Sequence, residues 1–554
     1  MNSETRNCQN CKQHFTIEPD DFSFYEKMKV PAPVVCPDCR FKMRAVWRNE
    51  MSLYNRKCVV TDQNIISVYS PNSLYKVVSL DYYKSEEWDP FDFAQEYDFS
   101  KSFFEQFDLL LKNVYKKALF PILSVGANIE SDYVNFAGGC KNSYFCFNTA
   151  YVENVMYTKG VTNARDTNDS YYSDHLENCY ECVNVYNSTN VMWAKNSTAC
   201  LDCVLIDNCR NCSNCFGCVN LYNQSYYFFN EKLTKEEYKI KISEYLGDYA
   251  KMLDAKKQFL IHSQKYPKKL NQNLNNMNCS GDYIFNSKNC KQCFEVGTSE
   301  DSKYIFGARN TKDSYGSIGG INASESLENM TPNHCHHMVG TVACENSKNI
   351  EYSFCLNNCS DCIGCDSLKN AQYCILNKQY TKEEYEKIRA HIIAELKEKN
   401  LCGLIIPSAL SPFAYNETIG QDNMPMTKEE AVSSSFRWEE NIQITKGKET
   451  LLPDQIPNHI ADVTDSIKNE ILKCIECERN YKITEQELLL YRRMVLPIPR
   501  QCFYCRHKDR LVRRGPYKFY DRNCSFCNDP IETTYAPDRP EKVYCEKCYQ
   551  KEVL

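Results

Sequence analysis

A chain of 554 residues is too long for a single hydrophobic core and implies several domains. Its 34 cysteines suit either a disulfide-rich or a metal-rich protein, and no apolar run of roughly 18 residues is present that could span a bilayer. Met1 to Phe15 holds Glu4, Arg6 and Lys12 without the apolar core of a signal peptide, so a cytoplasmic protein with reduced, metal-binding thiols is expected.

In chain order, residues 1–86 come first. Cys8-x-x-Cys11 and Cys36-x-x-Cys39 are paired ligand hairpins, the arrangement that sets four thiolates tetrahedrally around zinc. The same module returns at the other end of the chain with a gapless offset of 466, which places Cys8, Cys11, Cys36, Cys39 and Cys58 on Cys474, Cys477, Cys502, Cys505 and Cys524. Tyr25, Met28, Pro31, Arg40 and Arg44 likewise fall on Tyr491, Met494, Pro497, Arg506 and Arg510. A second lobe is complete only in the C-terminal copy, as Cys524, Cys527, Cys545 and Cys548; the N-terminal copy reads Cys58, Thr61, Ser79 and Tyr82. That lobe is expected to hold no metal and to rest on Ile65, Ile66, Val68, Val77 and Val78. Three closed, structural zinc sites are therefore expected in the two ends, with further sites open in the middle.

Residues 87–130 carry Trp88, Phe91, Phe93, Phe103, Phe104, Phe107 and Leu109 to Leu111 at helix-like spacing and read as a helical connector. Residues 131–229 and 276–378 form a second duplication, in which Cys146, Glu153, Tyr157, Cys212, Cys215 and Cys218 meet Cys293, Glu300, Tyr304, Cys359, Cys362 and Cys365 at an offset of 147. Within each copy a 21-residue repeat brings Cys179 and Cys182 onto Cys200 and Cys203, and Cys344 onto Cys365. With short Tyr, Val and Cys runs between Asn, Ser and Asp turns, this predicts a parallel β-solenoid with one coil per period and like residues stacked about 4.8 Å apart. Most central cysteines then form an interior ladder of small, poorly hydrated side chains. Cys209, Cys212, Cys215 and Cys218 are spaced by three rather than by the two of a strand, and Cys355, Cys359, Cys362 and Cys365 are nearly the same array. They belong on a corner or around a metal, zinc or an iron–sulfur cluster. His334, His336 and His337 beside Cys335 offer a further candidate metal site, a polar turn, or a Cys–His pair whose reactivity geometry must decide.

A helical insertion at 230–275 and a helix at 379–402 open on Thr234 to Glu237 and Thr381 to Glu384, an N-cap hydroxyl followed three residues later by Glu. Thr427 to Glu430 repeats that signal inside 403–470, whose Pro407, Pro412, Pro425, Pro453 and Pro457 read as an extended strap leading to the last module, 471–554. The expected fold is thus mainly β with helical insertions: duplicated zinc-ribbon modules at both ends flanking a duplicated parallel β-solenoid-like region.

Charge is uneven. Arg506, Lys508, Arg510, Arg513, Arg514, Lys518 and Arg522 alternate with Tyr517, Phe519 and Tyr520, and Arg40, Arg44 and Arg48 repeat that character with Trp47 and Tyr54. Such a face offers phosphate contacts and stacking platforms and makes structured RNA or a ribonucleoprotein a candidate partner. The competing reading is an arginine set that pairs with the acidic middle of the chain. Protein partners on a long solenoid surface are the second functional class, and redox or metal handling by the central thiols is the third. No membrane, no small-molecule substrate and no enzyme activity is expected.

In combination these motifs resemble a family of uncharacterised multi-zinc-ribbon, cysteine-rich proteins of small-genome bacteria of the candidate phyla. The resemblance runs over essentially the whole length. It is carried by Cys8-x-x-Cys11, Val30-Pro31-x-Pro33-x-x-Cys36-Pro37-x-Cys39-Arg40, Trp47-Arg48-Asn49-Glu50, the Thr-Lys-Glu-Glu-Tyr helix starts and Tyr535-Ala-Pro537 through Cys545. It implies cytoplasmic zinc binding and supplies no mechanism.

Overall fold

The computed structural model describes residues 2–122 and 125–553. The chain folds as two compact units, each drawn from both halves of the sequence: Met1–Ala118 with Asn271–Ile442, and Leu119–Leu270 with Gln443–Leu554. Each unit therefore pairs one terminal module with the stack of coils from the opposite half.

The stacks are parallel sheets, one of nine strands in the second unit and one of ten in the first. Their register sets the size of the coil. Thr162 pairs with Asp174, Asp174 with Tyr186, Leu201 with Ser213 and Ser213 with Ser225, while in the other stack Ser324, His336, Lys348, Ser360 and Gln372 pair in sequence. Each step is 12 residues, not the expected 21. Every third residue is left-handed, as at Asn178 (φ 50°), Glu181 (56°), Asn184 (53°), Asn187 (50°) and Asn190 (54°). Asparagine tolerates that region better than other non-glycine residues, which explains the asparagine richness. Four such corners close each coil, so the repeating element is three residues long. The 21-residue recurrence is a multiple of three and so keeps the inward phase, but it is not a turn of the coil.

The residue after each corner points inward. Cys200, Cys203, Ile206, Cys209, Cys212, Cys215 and Cys218 are successive inward positions, each 0–2% exposed. Chemistry explains why thiols and hydroxyls fill this core. The coil-to-coil ladder uses the amides of the other two residues in each trio, as in Ser213 N–H to Gln224 O (2.9 Å) and Asn211 N–H to Thr198 O (3.0 Å). The inward amide is left over and needs a small acceptor one coil below. Ser188 accepts the Cys200 amide (3.1 Å) while donating to Tyr186 O (2.9 Å). Cys200 repeats the pattern, its sulfur receiving the Cys212 amide and donating to Thr198 O (3.5 Å). Cys200→Ser is accordingly expected to change the unfolding free energy from denaturant titration by no more than about 1 kcal/mol, whereas Cys200→Leu overpacks the coil and costs about 1–3 kcal/mol. Equal effects of the two would contradict the amide-acceptor role.

Antiparallel hairpins at Glu231–Lys232 and Lys378–Gln379 close the C-terminal ends of the stacks, and helices follow at once. Thr234 caps Lys235–Ser243, Thr381 caps Lys382–Glu398 and Thr427 caps Lys428–Ser433, each with a capping box. The connector is less helical than expected: one α-helix, Phe103–Asn113, buries Phe103, Phe107, Leu110 and Leu111, while Pro90–Phe93 makes a short 3-10 turn. A parallel two-stranded ladder ties each module to the strand that precedes a stack, Val77–Val78 with Lys116–Lys117 and Val543–Tyr544 with Lys268–Lys269.

In the helix Tyr249–Ser263, Lys256 sits 4.3 Å over the Trp193 ring, and burial lowers its ammonium to about 8 although Glu181 opposes the shift. The cost is fully present below pH 8. It fades as pH rises towards 10.5, because the unfolded chain then still holds a proton the folded chain has released. Lys256→Met is expected to raise the unfolding free energy by about 1–3 kcal/mol at pH 7, with the gain shrinking by pH 10 in denaturant titrations. A gain independent of pH would point to packing instead.

Candidate metal centres

Three four-cysteine groups have all their sulfurs within 4.8 Å of one another: Cys8, Cys11, Cys36, Cys39; Cys474, Cys477, Cys502, Cys505; and Cys524, Cys527, Cys545, Cys548. Each could hold a metal ion. The local construction is the same in all three. A hairpin, Glu4–Asn7 with His14–Ile17 in the first, ends in a knuckle where Cys8 N–H reaches Gln13 O (2.8 Å) and Lys12 turns left-handed (φ 63°). In the other two, Cys474 N–H meets Arg479 O (3.0 Å) before Glu478 (φ 61°), and Cys524 N–H meets Asp529 O (2.8 Å) before Asn528 (φ 64°). The second ligand pair comes from a helix start: Cys36 precedes Pro37–Ala45, Cys502 precedes Phe503–Arg514 and Cys545 precedes Glu546–Val553. Helix N-termini favour anionic sulfur.

Distances and electrostatics fit a tetrahedral ion. Metal–sulfur bonds of about 2.3 Å give sulfur–sulfur edges of about 3.8 Å. Cys11–Cys36, Cys477–Cys502 and Cys527–Cys545 are 3.7, 3.6 and 3.8 Å apart. The first sulfur of each group also receives a backbone N–H at 3.2 Å, from Cys36, Cys502 and Cys545. At Cys8 burial raises the thiol, but the amides of Cys36, Cys11 and Asn10 outweigh it and bring it to about 7. Amides of Cys527, Cys545 and Phe526 likewise bring Cys524 to about 6 against burial, and the Cys502 side chain above all brings Cys474 to about 4. These thiols are primed as thiolates, the form that binds metal.

The fourth lobe keeps the frame and lacks the ligands. Cys58 N–H meets Gln63 O (2.9 Å), Asp62 is left-handed (φ 55°), and Ser79 N–H approaches the Cys58 sulfur (3.4 Å), yet Thr61, Ser79 and Tyr82 stand at the other positions. Ile65, Tyr82, Trp88 and Tyr115 pack over Cys58, Val78 and Tyr83. Because the frame persists, Thr61→Cys, Ser79→Cys and Tyr82→Cys together are expected to add one metal equivalent per chain by elemental analysis. Unchanged stoichiometry would mean that the frame alone does not suffice.

The central candidates do not come together as metal groups among the described residues. Cys209, Cys212, Cys215 and Cys218 line the four sides of one coil, and Cys359, Cys362 and Cys365 line three sides in the other stack with Leu356 on the fourth, because a three-residue repeat places every third side chain inside. Cys355 is instead a corner (φ 57°), and burial pushes its thiol up to about 12. Burial likewise pushes Cys146 to about 11 and Cys335 to about 12, so these core thiols are neutral near pH 7. His334 and His336 lie on the outer surface in polar ladders, with Nδ1 atoms 3.3 Å from Asn322 and 3.0 Å from Ser324.

The arginines require a correction. Arg40, Arg44, Arg48, Arg506, Arg510 and Arg514 are buried, so they cannot form the nucleic-acid face expected of them. They meet the stack of their own unit. Arg40 reaches Glu328 at 2.7 Å and Arg44 binds the other oxygen of that carboxylate; Arg48 donates to Thr331 Oγ1 (2.7 Å). Arg506 and Arg510 meet Asp169 at 3.0 and 2.9 Å, Arg510 meets Glu181 at 2.9 Å, and Arg514 donates to the Tyr171 hydroxyl (2.8 Å). Half-buried Arg513 pairs with Glu181, and Arg522 donates to the carbonyls of Ala536 and Glu541. Of the proposed basic set, Lys508 and Lys518 are exposed. Sequence reasoning missed Asp169, Glu181 and Glu328; the one signal for them was the opposite charge of the middle and the ends.

No protein-family model matches the chain, and no curated protein is similar to it. No helix among the described residues is long and apolar enough to cross a membrane.

Proposed function

We propose that this chain is a non-enzymatic, cytoplasmic zinc scaffold. In this reading duplicated zinc-ribbon modules clamp duplicated solenoids, and the outer solenoid faces receive a protein partner. The observation that carries it is the destination of the arginines: the charges best suited to phosphate are consumed inside each unit by Glu328, Asp169 and Glu181. What stays outside is a regular surface of stacked side chains, such as Lys141–Glu153–Arg165 and the Asn142–Asn154–Asp166 ladder, with Tyr151 and Leu201 exposed among them. Long, flat and polar with scattered apolar anchors, it has the composition of a protein-binding rim.

Elemental analysis tests the metal, with three zinc equivalents expected. For the partner, affinity capture with the full chain is compared before and after nuclease treatment and with Tyr151→Asp and Leu201→Asp. Nuclease-resistant binding that these substitutions abolish supports the reading; nuclease-sensitive binding would favour RNA. Visible absorbance after anaerobic purification would replace zinc by iron–sulfur chemistry in the core.

A further inference from the structure

The two module–stack interfaces are built from corresponding positions. Arg44 and Arg510 stand at one module position, and each binds the acid at one stack position, Glu328 and Glu181, which are 147 residues apart. Arg40 and Arg506 stand at another, and their guanidiniums lie 5.4 and 5.1 Å over Tyr304 and Tyr157, again 147 apart. Asp21 and Glu487, also corresponding, each accept a hydrogen bond at the edge of this cluster, from Lys303 (2.9 Å) and from the Tyr157 hydroxyl (3.0 Å). Either module thus brings the same arginine pair and one carboxylate to these positions, and Arg48 and Arg514 also correspond; the C-terminal contact adds Arg513 on Glu181, where the N-terminal module has Trp47, and Asp169, where the other stack has Gly316.

The chain path is a reciprocal exchange. Lys116–Lys117 pairs with the N-terminal module, and Lys116 is buried on Asp366 of the same unit; the chain then leaves to build the stack of the other unit. Lys268–Lys269 pairs with the C-terminal module, Lys268 meets Asp207 at 2.8 Å, and the chain departs to build the stack of the first unit. The arginine–carboxylate contacts join residues 284 to 341 positions apart, so no short tether assigns a module to its stack. Such reciprocal exchange is the geometry of a domain swap, here closed within one chain.

We propose that each terminal module is a self-recognition element whose arginine pair reads the Glu181/Glu328 position and the Tyr157/Tyr304 ring of any stack of this type, so that a second copy of this chain can supply the stack. Within one chain the high effective concentration favours closure on itself; when closure is blocked, the same contact joins two chains.

The test uses full-length chains in three forms: Arg510→Glu, Glu181→Arg, and both in one chain. Each single form places like charges together and is expected to expose residues 474–514 to limited proteolysis. The doubly substituted chain restores an opposite-charge pair and should regain protection as a monomer. Co-expressed single forms can satisfy both pairs only by crossing, so a one-to-one complex of twice the chain mass with restored protection is expected from light scattering and proteolysis. Co-expressed singles that stay monomeric and unprotected would overturn the proposal. So would failure of the doubly substituted chain to regain protection, since recognition would then lie elsewhere. Metal analysis of each form checks that its modules are intact; where a single form loses metal, Arg44→Glu and Glu328→Arg in the first unit decide by the same criteria.

Discussion

Serine at both Cys474 and Cys502 is expected to remove one metal equivalent per chain and to release the C-terminal module from its stack. The cluster joins a hairpin knuckle to the start of Phe503–Arg514, and that helix carries Arg506, Arg510 and Arg514 into the interface. A structural zinc ion in such a four-cysteine site would supply an apparent 10–16 kcal/mol, roughly the whole stability of a small domain, so the helix loses its anchor when two ligands go. Three measurements follow one another: metal content falls from three equivalents to two, proteolysis opens within 474–514, and the thermal transition of the second unit moves down or splits. Cys203→Ser in the same background should leave metal content unchanged, because that sulfur faces a coil interior. A doubly substituted protein that keeps three equivalents and native protection would refute the assignment.

Glu328→Gln is expected to cost about 3–5 kcal/mol, since it leaves two buried guanidiniums facing a neutral amide. Arg40 and Arg44 are 3% and 1% exposed, so water cannot take over the lost charge. Replacing Arg40, Arg44 and Glu328 together by methionine should recover most of that loss, because burying charge is costly even when it is paired. Denaturant titration with a probe in the first unit reads both. A Glu328→Gln effect under about 1 kcal/mol would show that the clamp is wet or dispensable.

The metal groups could be read from the chain because their ligands come in pairs three residues apart, on hairpins and helix starts whose geometry is local. Cys58 was as legible, since Thr61, Ser79 and Tyr82 stand plainly where ligands would be. The coil was only half legible. Cys209, Cys212, Cys215 and Cys218 announced a three-residue phase, and so did Asn178, Asn184, Asn187 and Asn190 at the corners, but strand alternation was the wrong ruler for a chain that turns at every third residue. The coil length of 12 is set by hydrogen bonds between turns, and inward positions accept Cys, Ser, Val or Ala too freely to mark it. Least legible were the arginines. Their local sequence is almost all of one sign, and the carboxylates that bury them lie some 300 residues away in a strand order that only the folded chain displays.

Counting in threes and twelves also constrains how such a chain can lengthen. Excising one whole turn would shorten the ladder by a rung and leave every remaining side chain facing as before. Inserting a single residue would turn the core of that side outward. Adding three would preserve the dry interior yet rotate all later faces by a quarter turn, carrying the acid that grips a terminal helix round to solvent. The genetic freedom of the central region is therefore graded by remainder rather than by size, with large multiples tolerated where the smallest slip is not.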